Sequence, residues 1–207
     1  CIVYWGHNPM NSGPDGETRF VVRDSLAGKP KTIVVDPRRT ELAKNADLWL
    51  QLRPGTDDAL ALAMLHTIIE EKLYDTAFVS EWTHGFEALS ERVKRYSPEW
   101  AAPITWVPAE KIRAAARLYA ATKPSMMEWG CAIEHTPNTI QTVRAISMLP
   151  ALTGNVDVPG GWVFGMKGLG RFPSLIENLT PEMNAKRLGA DRFKMLSGEG
   201  ADLPAAH

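Results

Sequence analysis

The chain has 207 residues, 44 % of them apolar and 23 % charged, with a formal net charge of −1. That composition is ordinary for a globular chain and excludes wholesale disorder, collagen and a membrane bundle. The near-zero charge argues against a broad electrostatic grip on nucleic acid. The longest apolar run, Ala59 to Leu65, is far shorter than the roughly 20 residues a bilayer span takes, so no direct membrane span is expected. In chain order, Ile2 to Trp5 reads as a short strand ended by Gly6 and broken by Asn8-Pro9. A helix is expected from about Gly16 to Ala27, stopped by Gly28 and Pro30. Lys31 to Val35 is β-branched and reads as a strand buried on both faces, terminated by Asp36-Pro37. A short helix over Thr40 to Asn45 and a third strand over Leu48 to Leu52 follow, closed by Pro54-Gly55.

The clearest helix comes next. Thr56 is placed to cap it, and Asp57 and Asp58 lie in its first turn, where the helix dipole favours them. Leu60, Met64 and Ile68 form one apolar stripe and Ala61, Leu65 and Ile69 another, which predicts packing between layers. Asp75 to Trp82 and Phe86 to Tyr96 are amphipathic segments separated by Gly85, and Pro108 opens a helix that ends before Lys123-Pro124. Ser125 to Trp129 is the fourth expected strand, ending at Gly130. A last helix runs from about Asn138 to Leu152, with Pro150 expected to kink its final turn and Gly154-Asn155 to stop it. Beyond Pro159-Gly160-Gly161 the pattern fades into a loop-rich tail.

Strands alternating with helices predict an α/β fold: a doubly wound, mainly parallel, Rossmann-like sheet without the G-x-G-x-x-G fingerprint. The expected layout is one domain over residues 1–161 with a helical insertion at about 73–122, then a tail over 162–207 leading to another domain. The chain has no initiator Met and no signal segment, and opens inside a strand-like run, so it reads as an internal piece of a longer polypeptide. Its compartment is left open. Two Cys and five His show no metal-ligand spacing, so a metal held by this chain alone is not expected. The seven Trp residues are numerous, and several stand at expected strand ends, where an aromatic lines a pocket or packs a core.

Parallel sheets bind ligands at the carboxyl ends of their strands, which selects four segments. Gly6-His7-Asn8-Pro9 is either a plain turn or a place where backbone approaches a ligand and Asn8 bonds to it. Asp36 either caps a turn or accepts from ribose hydroxyls, with Arg38 and Arg39 solvated or meeting a phosphate. Gly55-Thr56-Asp57 either caps the long helix, takes an anion, or presents a carboxylate to paired donors such as the N1–H and N2–H₂ edge of guanine. Cys131 and His135, after Trp129-Gly130, are a packing cysteine with a nearby histidine or a nucleophile with its base; no third orienting group is evident. Thr153-Gly154-Asn155 with Pro159-Gly160-Gly161 is ligand-lining or merely flexible.

Taken in order, Trp5-Gly-x-Asn-Pro9, Val34-Val-Asp-Pro-Arg38, Leu52-Arg-Pro-Gly-Thr-Asp57 and Leu152-Thr-Gly-Asn155 with Pro159-Gly-Gly161 resemble the large subunits of molybdopterin oxidoreductases, the dimethyl sulfoxide reductase and formate dehydrogenase superfamily. The resemblance runs from about residue 1 to 165. It implies one nucleotide-binding domain of a multidomain catalytic subunit that carries bis(molybdopterin guanine dinucleotide) around molybdenum or tungsten. By motif position it implies Asn8 and Ser12 near the phosphates or ribose, with Gly6 at the turn. It implies Asp36 and Arg38 at the guanosine portion, and Gly55 and Asp57 at the guanine edge. Cys131, Glu134 and His135 would face the pterin, Gly130 before them is a further cofactor-binding position, and Asn155 belongs to the last motif. It further implies a 4Fe–4S cluster in a preceding segment and an iron–sulfur electron-transfer subunit beside the remaining domains of the same chain. The cluster cysteines and the residue that ligates the metal are not within these residues. Glu134 stands where Gln is common and Asp157 where Gly is common, and both add negative charge. Two other readings are carried: the central domain of a thiamine-diphosphate enzyme, and a non-catalytic nucleotide-binding module.

Overall fold

The computed structural model describes residues 1–12, 18–163, 178–189 and 192. Four strands, β1 (Ile2–Trp5), β2 (Thr32–Val35), β3 (Leu48–Leu50) and β4 (Met126–Trp129), form an all-parallel sheet in the order β3-β2-β1-β4. Eleven helices lie among the described residues. They are α1 (Pro9–Ser12), α2 (Thr18–Ala27), α3 (Glu41–Asn45), α4 (Asp57–Glu70), α5 (Thr76–Trp82), α6 (Phe86–Val93), α7 (Pro98–Thr105), α8 (Ala109–Ala121), α9 (Cys131–Glu134), α10 (Thr139–Thr153) and α11 (Pro181–Ala185). The doubly wound α/β architecture read from the sequence is therefore the observed one.

The two faces of the sheet are sorted by strand alternation. Val3, Trp5, Ile33, Val35 and Leu50 point into the larger core, which α4, α8 and α10 complete with residues such as Leu60, Ile112 and Ile146. Tyr4 and Val34, with Ile2 and Trp49 beside them, point to the opposite face, where Val22 of α2 and Leu42 of α3 cover them. All four residues of β2 are buried, as a central parallel strand requires. Helix α4 buries nine of its fourteen residues, Asp57 among them, because it is wedged between the sheet and helices α7, α8 and α10.

The chain winds from β1 out to β2 and β3. It then returns past β1, through α4 to α8, to lay β4 on the other side. The direction of winding thus reverses between β1 and β4, and such a switch point opens a crevice at the strand carboxyl ends.

Several expectations are corrected locally. β3 ends at Leu50 rather than Leu52, and α6 at Val93 rather than Tyr96. Thr56 occupies the N-cap position of α4 but accepts no N–H; at φ −122 and ψ 24 it leaves the extended region that caps use, and its hydroxyl donates to the Arg53 carbonyl at 2.7 Å. Helix α10 runs through Pro150 to Thr153, one residue beyond the expected end, and stops at Gly154 in the left-handed region (φ 65). Helices α1, α7, α9 and α11 were not expected. The start of the second helix at Gly16 and most of the tail fall outside the described residues.

By internal contacts the chain divides at residues 164 and 165. In the second unit the described residues hold α11, whose first turn is capped by Thr180 accepting from the Met183 N–H. No helix among the described residues is long and apolar enough to cross a membrane.

Asn155 fastens the segment after α10 to the start of β4. Its Oδ1 accepts the Ser125 N–H at 2.9 Å and its Nδ2 donates to the Thr153 hydroxyl at 2.8 Å, all in the interior. Asn155→Ala would strand a buried N–H, which costs about 2 kcal/mol. Urea denaturation should show that loss as a lower midpoint with an unchanged slope. A midpoint within error of the wild type would rule this bracing role out.

Candidate functional site

Gly6 and Gly130 meet at the switch point. The Gly6 N–H donates to the Val35 carbonyl (2.8 Å) and the Gly130 N–H to the Trp5 carbonyl (3.2 Å), so the last carbonyl of β2 is taken by the turn after β1 and that of β1 by the turn after β4. Gly6 sits at φ 56, in the left-handed region. A Cβ on Gly130 would lie 2.5 Å from the Gly6 carbonyl oxygen and 3.2 Å from the His7 Cα, so only glycine lets the two turns approach this closely.

Next on the rim, Asn8 accepts the Ser12 N–H (3.0 Å) and hydroxyl (2.8 Å) at its carbonyl, which closes α1. Its side-chain Oδ1 is buried and has no hydrogen-bond partner. The Nδ1 of His7 is also buried without one, and lies 3.5 Å from Oε2 of Glu128 on β4. Asp36, buried after β2, accepts the Arg38 N–H at 2.7 Å through Oδ1, and the same oxygen lies 3.5 Å from Nε of the Arg38 guanidinium, most of which is exposed. The indole of Trp49 donates to the Asp36 carbonyl at 2.9 Å and holds the turn from below.

Asp57 is the other buried acid of the rim. It is buried at the start of α4, and its Oδ1 accepts the Trp5 indole N–H at 2.8 Å. Burial pushes its carboxyl above the usual range; the indole bond opposes that rise and the neighbouring Asp58 adds to it. Asp58 is held in turn by the Asn138 amide at 2.7 Å. Before them Gly55 sits at φ 79 with open space where a Cβ would point.

Beyond β4, Gly130 starts α9. Glu134 accepts the Trp129 indole N–H at 3.1 Å, and the Trp129 ring meets Trp162 edge-on, with centroids 5.1 Å apart. Cys131 and His135 flank the same turn with exposed side chains, joined by a backbone bond from the His135 N–H to the Cys131 carbonyl. No cluster of metal-ligating side chains occurs among the described residues.

The fold thus brings Gly6, Asn8, Ser12, Asp36, Arg38, Gly55, Asp57, Gly130, Cys131, Glu134 and His135 to the carboxyl rim of the sheet or the turns rising from it. Asn155 is not among them, because its side chain is spent at the amino end of β4. The residues that position Asp57 and Asp58, namely Trp5 and Asn138, were not singled out from the sequence. A buried Trp needs an acceptor for its N–H, which is the signal Trp5 offered, but the acceptor lies 52 residues away.

The family description "Molybdopterin oxidoreductase" matches residues 1–203. The chain belongs to the molybdopterin oxidoreductase family. It is 38 % identical to acetylene hydratase of Syntrophotalea acetylenica over 204 residues, covering 97 % of this chain and 28 % of that protein. It is 39 % identical to formate dehydrogenase H of Escherichia coli (strain K12) over 167 residues, covering 81 % and 23 %. The solved structure of acetylene hydratase from Pelobacter acetylenicus superposes with a TM-score of 0.75 at 35 % identity, over 95 % of this chain and 27 % of that one. This molybdopterin oxidoreductase chain therefore spans about a quarter of the length of the relatives it matches, and the thiamine-diphosphate reading falls. The structure also explains Asp157: its backbone lies in the left-handed region (φ 56), where Gly is the easiest residue and Asp one of the few tolerated others.

Proposed function

We propose that this chain is the part of a molybdenum or tungsten oxidoreductase catalytic subunit that grips the guanine dinucleotide portion of bis(molybdopterin guanine dinucleotide). The observation that carries the reading is the buried Asp57 carboxylate beside the open turn at Gly55. Asp57 costs the fold desolvation, and the Trp5 indole uses one lone pair of four, so the site keeps acceptor capacity for a pair of donors. The N1–H and N2–H₂ edge of guanine is such a pair.

The other rim groups suit the rest of the ligand. The close approach of Gly6 and Gly130 leaves backbone, not side chains, at the crevice. The unpartnered Oδ1 of Asn8 is an acceptor in search of a donor. Asp36 keeps its second oxygen for a ribose hydroxyl, and the exposed Arg38 guanidinium suits a phosphate. Ser12 stands near the same ribose and phosphates, while Cys131, Glu134 and His135 take the pterin side. Asn155 serves from the second row, by holding β4. When bound, the cofactor's metal would supply two-electron exchange with a small substrate; the protein residues here bind and orient it.

Residues 1–161 form the nucleotide-gripping domain in this reading, with 162–207 leading to the next domain. The remaining domains of the parent chain, a 4Fe–4S cluster near its start and an iron–sulfur partner subunit complete the enzyme, so the isolated chain has no activity of its own. The test is made on the full-length parent. Acid treatment should release guanine nucleotide in proportion to molybdenum or tungsten from the wild type. Asp57→Ala should release at most about a tenth as much, while Asp57→Asn, which keeps one acceptor, should fall between. A parent that releases no guanine nucleotide, or an Asp57→Ala variant that retains it fully, would overturn the proposal.

A further inference from the structure

Trp106 follows the last residue of α7 and takes the left-handed conformation, φ 63 and ψ 6, with its N–H bonded to the Ala102 carbonyl at 3.0 Å. A helix ended for its own sake uses glycine or asparagine there, because a bulky side chain strains that backbone. The strained residue is nevertheless a tryptophan, and it is 68 % exposed. A large apolar ring that pays both backbone strain and exposure points to a use for its surface.

Its neighbours name that use. The Arg53 N–H donates to the Thr105 carbonyl at 2.8 Å, which ties the end of α7 to the turn that leads to Asp57. The Arg53 guanidinium lies over the indole, 5.4 Å from the ring centre, and steadies one face of it. Two residues on, Gly55 opens the rim at φ 79 with nothing where a Cβ would stand. Two further residues on is the buried carboxylate of Asp57. A flat, edge-on donor pair held by Asp57 needs a surface against its face, and Trp106 is the exposed aromatic tied to that turn.

We propose that Trp106 is a positioning residue for the purine base: its indole, steadied by Arg53, stacks on the base whose edge Asp57 reads. The assignment rests on the guanine reading given above. It makes the slot two-sided, with an edge contact for identity and a face contact for retention.

The experiment uses the full-length parent with its cofactor loaded, and variants Trp106→Gly, Trp106→Asn and Trp106→Phe. Glycine and asparagine both accept the left-handed backbone, so neither should lower the melting temperature of cofactor-free protein made in a host that cannot synthesise the cofactor. The readout is the rate at which acid-releasable guanine nucleotide is lost from the purified protein on dilution. Trp106→Gly and Trp106→Asn should lose it about tenfold faster than the wild type, the size of one base–aromatic stack, and Trp106→Phe within about twofold. Loss at the wild-type rate in both Trp106→Gly and Trp106→Asn overturns the proposal. If Asp57→Ala sheds nucleotide while those two variants do not, only the stacking role falls. A wild-type parent with no guanine nucleotide removes the reading beneath it as well.

Discussion

Gly130→Ala should destabilise the chain by roughly 3 kcal/mol or more, near the top of the range for single substitutions. The added Cβ would stand 2.5 Å from the Gly6 carbonyl oxygen and 3.2 Å from the His7 Cα. Those atoms belong to backbone that has nowhere to go. Gly6 is bonded to Val35 on one side, and a Cβ placed on it would already be 3.1 Å from Ala132. Relief would require separating β1 from β4, which breaks the Trp5 to Gly130 bond and opens the crevice. In the full-length parent the same substitution should abolish cofactor loading. Thermal unfolding of the variant and its metal content check both outcomes. A wild-type melting temperature would mean that the two turns are not in contact.

Trp5→Phe should cost about 3 kcal/mol at neutral pH, and the cost should depend on pH. The substitution keeps an aromatic ring in the core but removes the indole N–H that serves Asp57. Part of the loss is packing and is independent of pH. The other part follows the carboxyl. Burial already raises Asp57 above its ordinary value of 3.8 in the folded state. A folded-state pKa above the unfolded one gives stability that is full below 3.8 and disappears as pH rises through the folded value. Without the indole the folded value climbs further, so more is lost at neutrality. Denaturant titrations at about pH 4 and about pH 7 should show a larger gap between variant and wild type at the higher pH. Adding Asp57→Asn should remove the pH dependence and leave the packing loss. An equal gap at both pH values would show that Asp57 does not feel Trp5.

Much of this was legible in the residues because the sheet is parallel and central. Thr32 to Val35 could be assigned as a strand from β-branching alone, and the double apolar stripe of α4 is what a helix buried on several sides must carry. Knowing the strands, their carboxyl ends follow, and with them Gly6, Asp36, Gly55, Asp57 and Gly130. Helix α7 was hidden although Ser97 caps it and Pro98 suits its first position, because Pro103 reads as a breaker and no apolar stripe is long enough to outweigh it. Helices α1 and α9, of four residues each, are too short for any period to appear.

The site was less legible than the fold, for a different reason. Thr153-Gly154-Asn155 has the composition of a ligand loop and of a helix stop, and only the partners at Ser125 and Thr153 decide between them. The pair of Trp5 and Asp57, 52 residues apart, leaves no local trace in either segment. Thr56 looked like a cap, but its hydroxyl found a nearer acceptor in Arg53.

The crevice is assembled from the beginning of the sequence and a point 124 residues later, where Gly130 closes on Gly6. A ribosome that has delivered only β1 to β3 has therefore delivered one lip of it. The missing lip arrives only after α4 to α8 have been synthesised. On the reading proposed above, the two lips that the cofactor needs are both present only once β4 and Gly130 have joined β1.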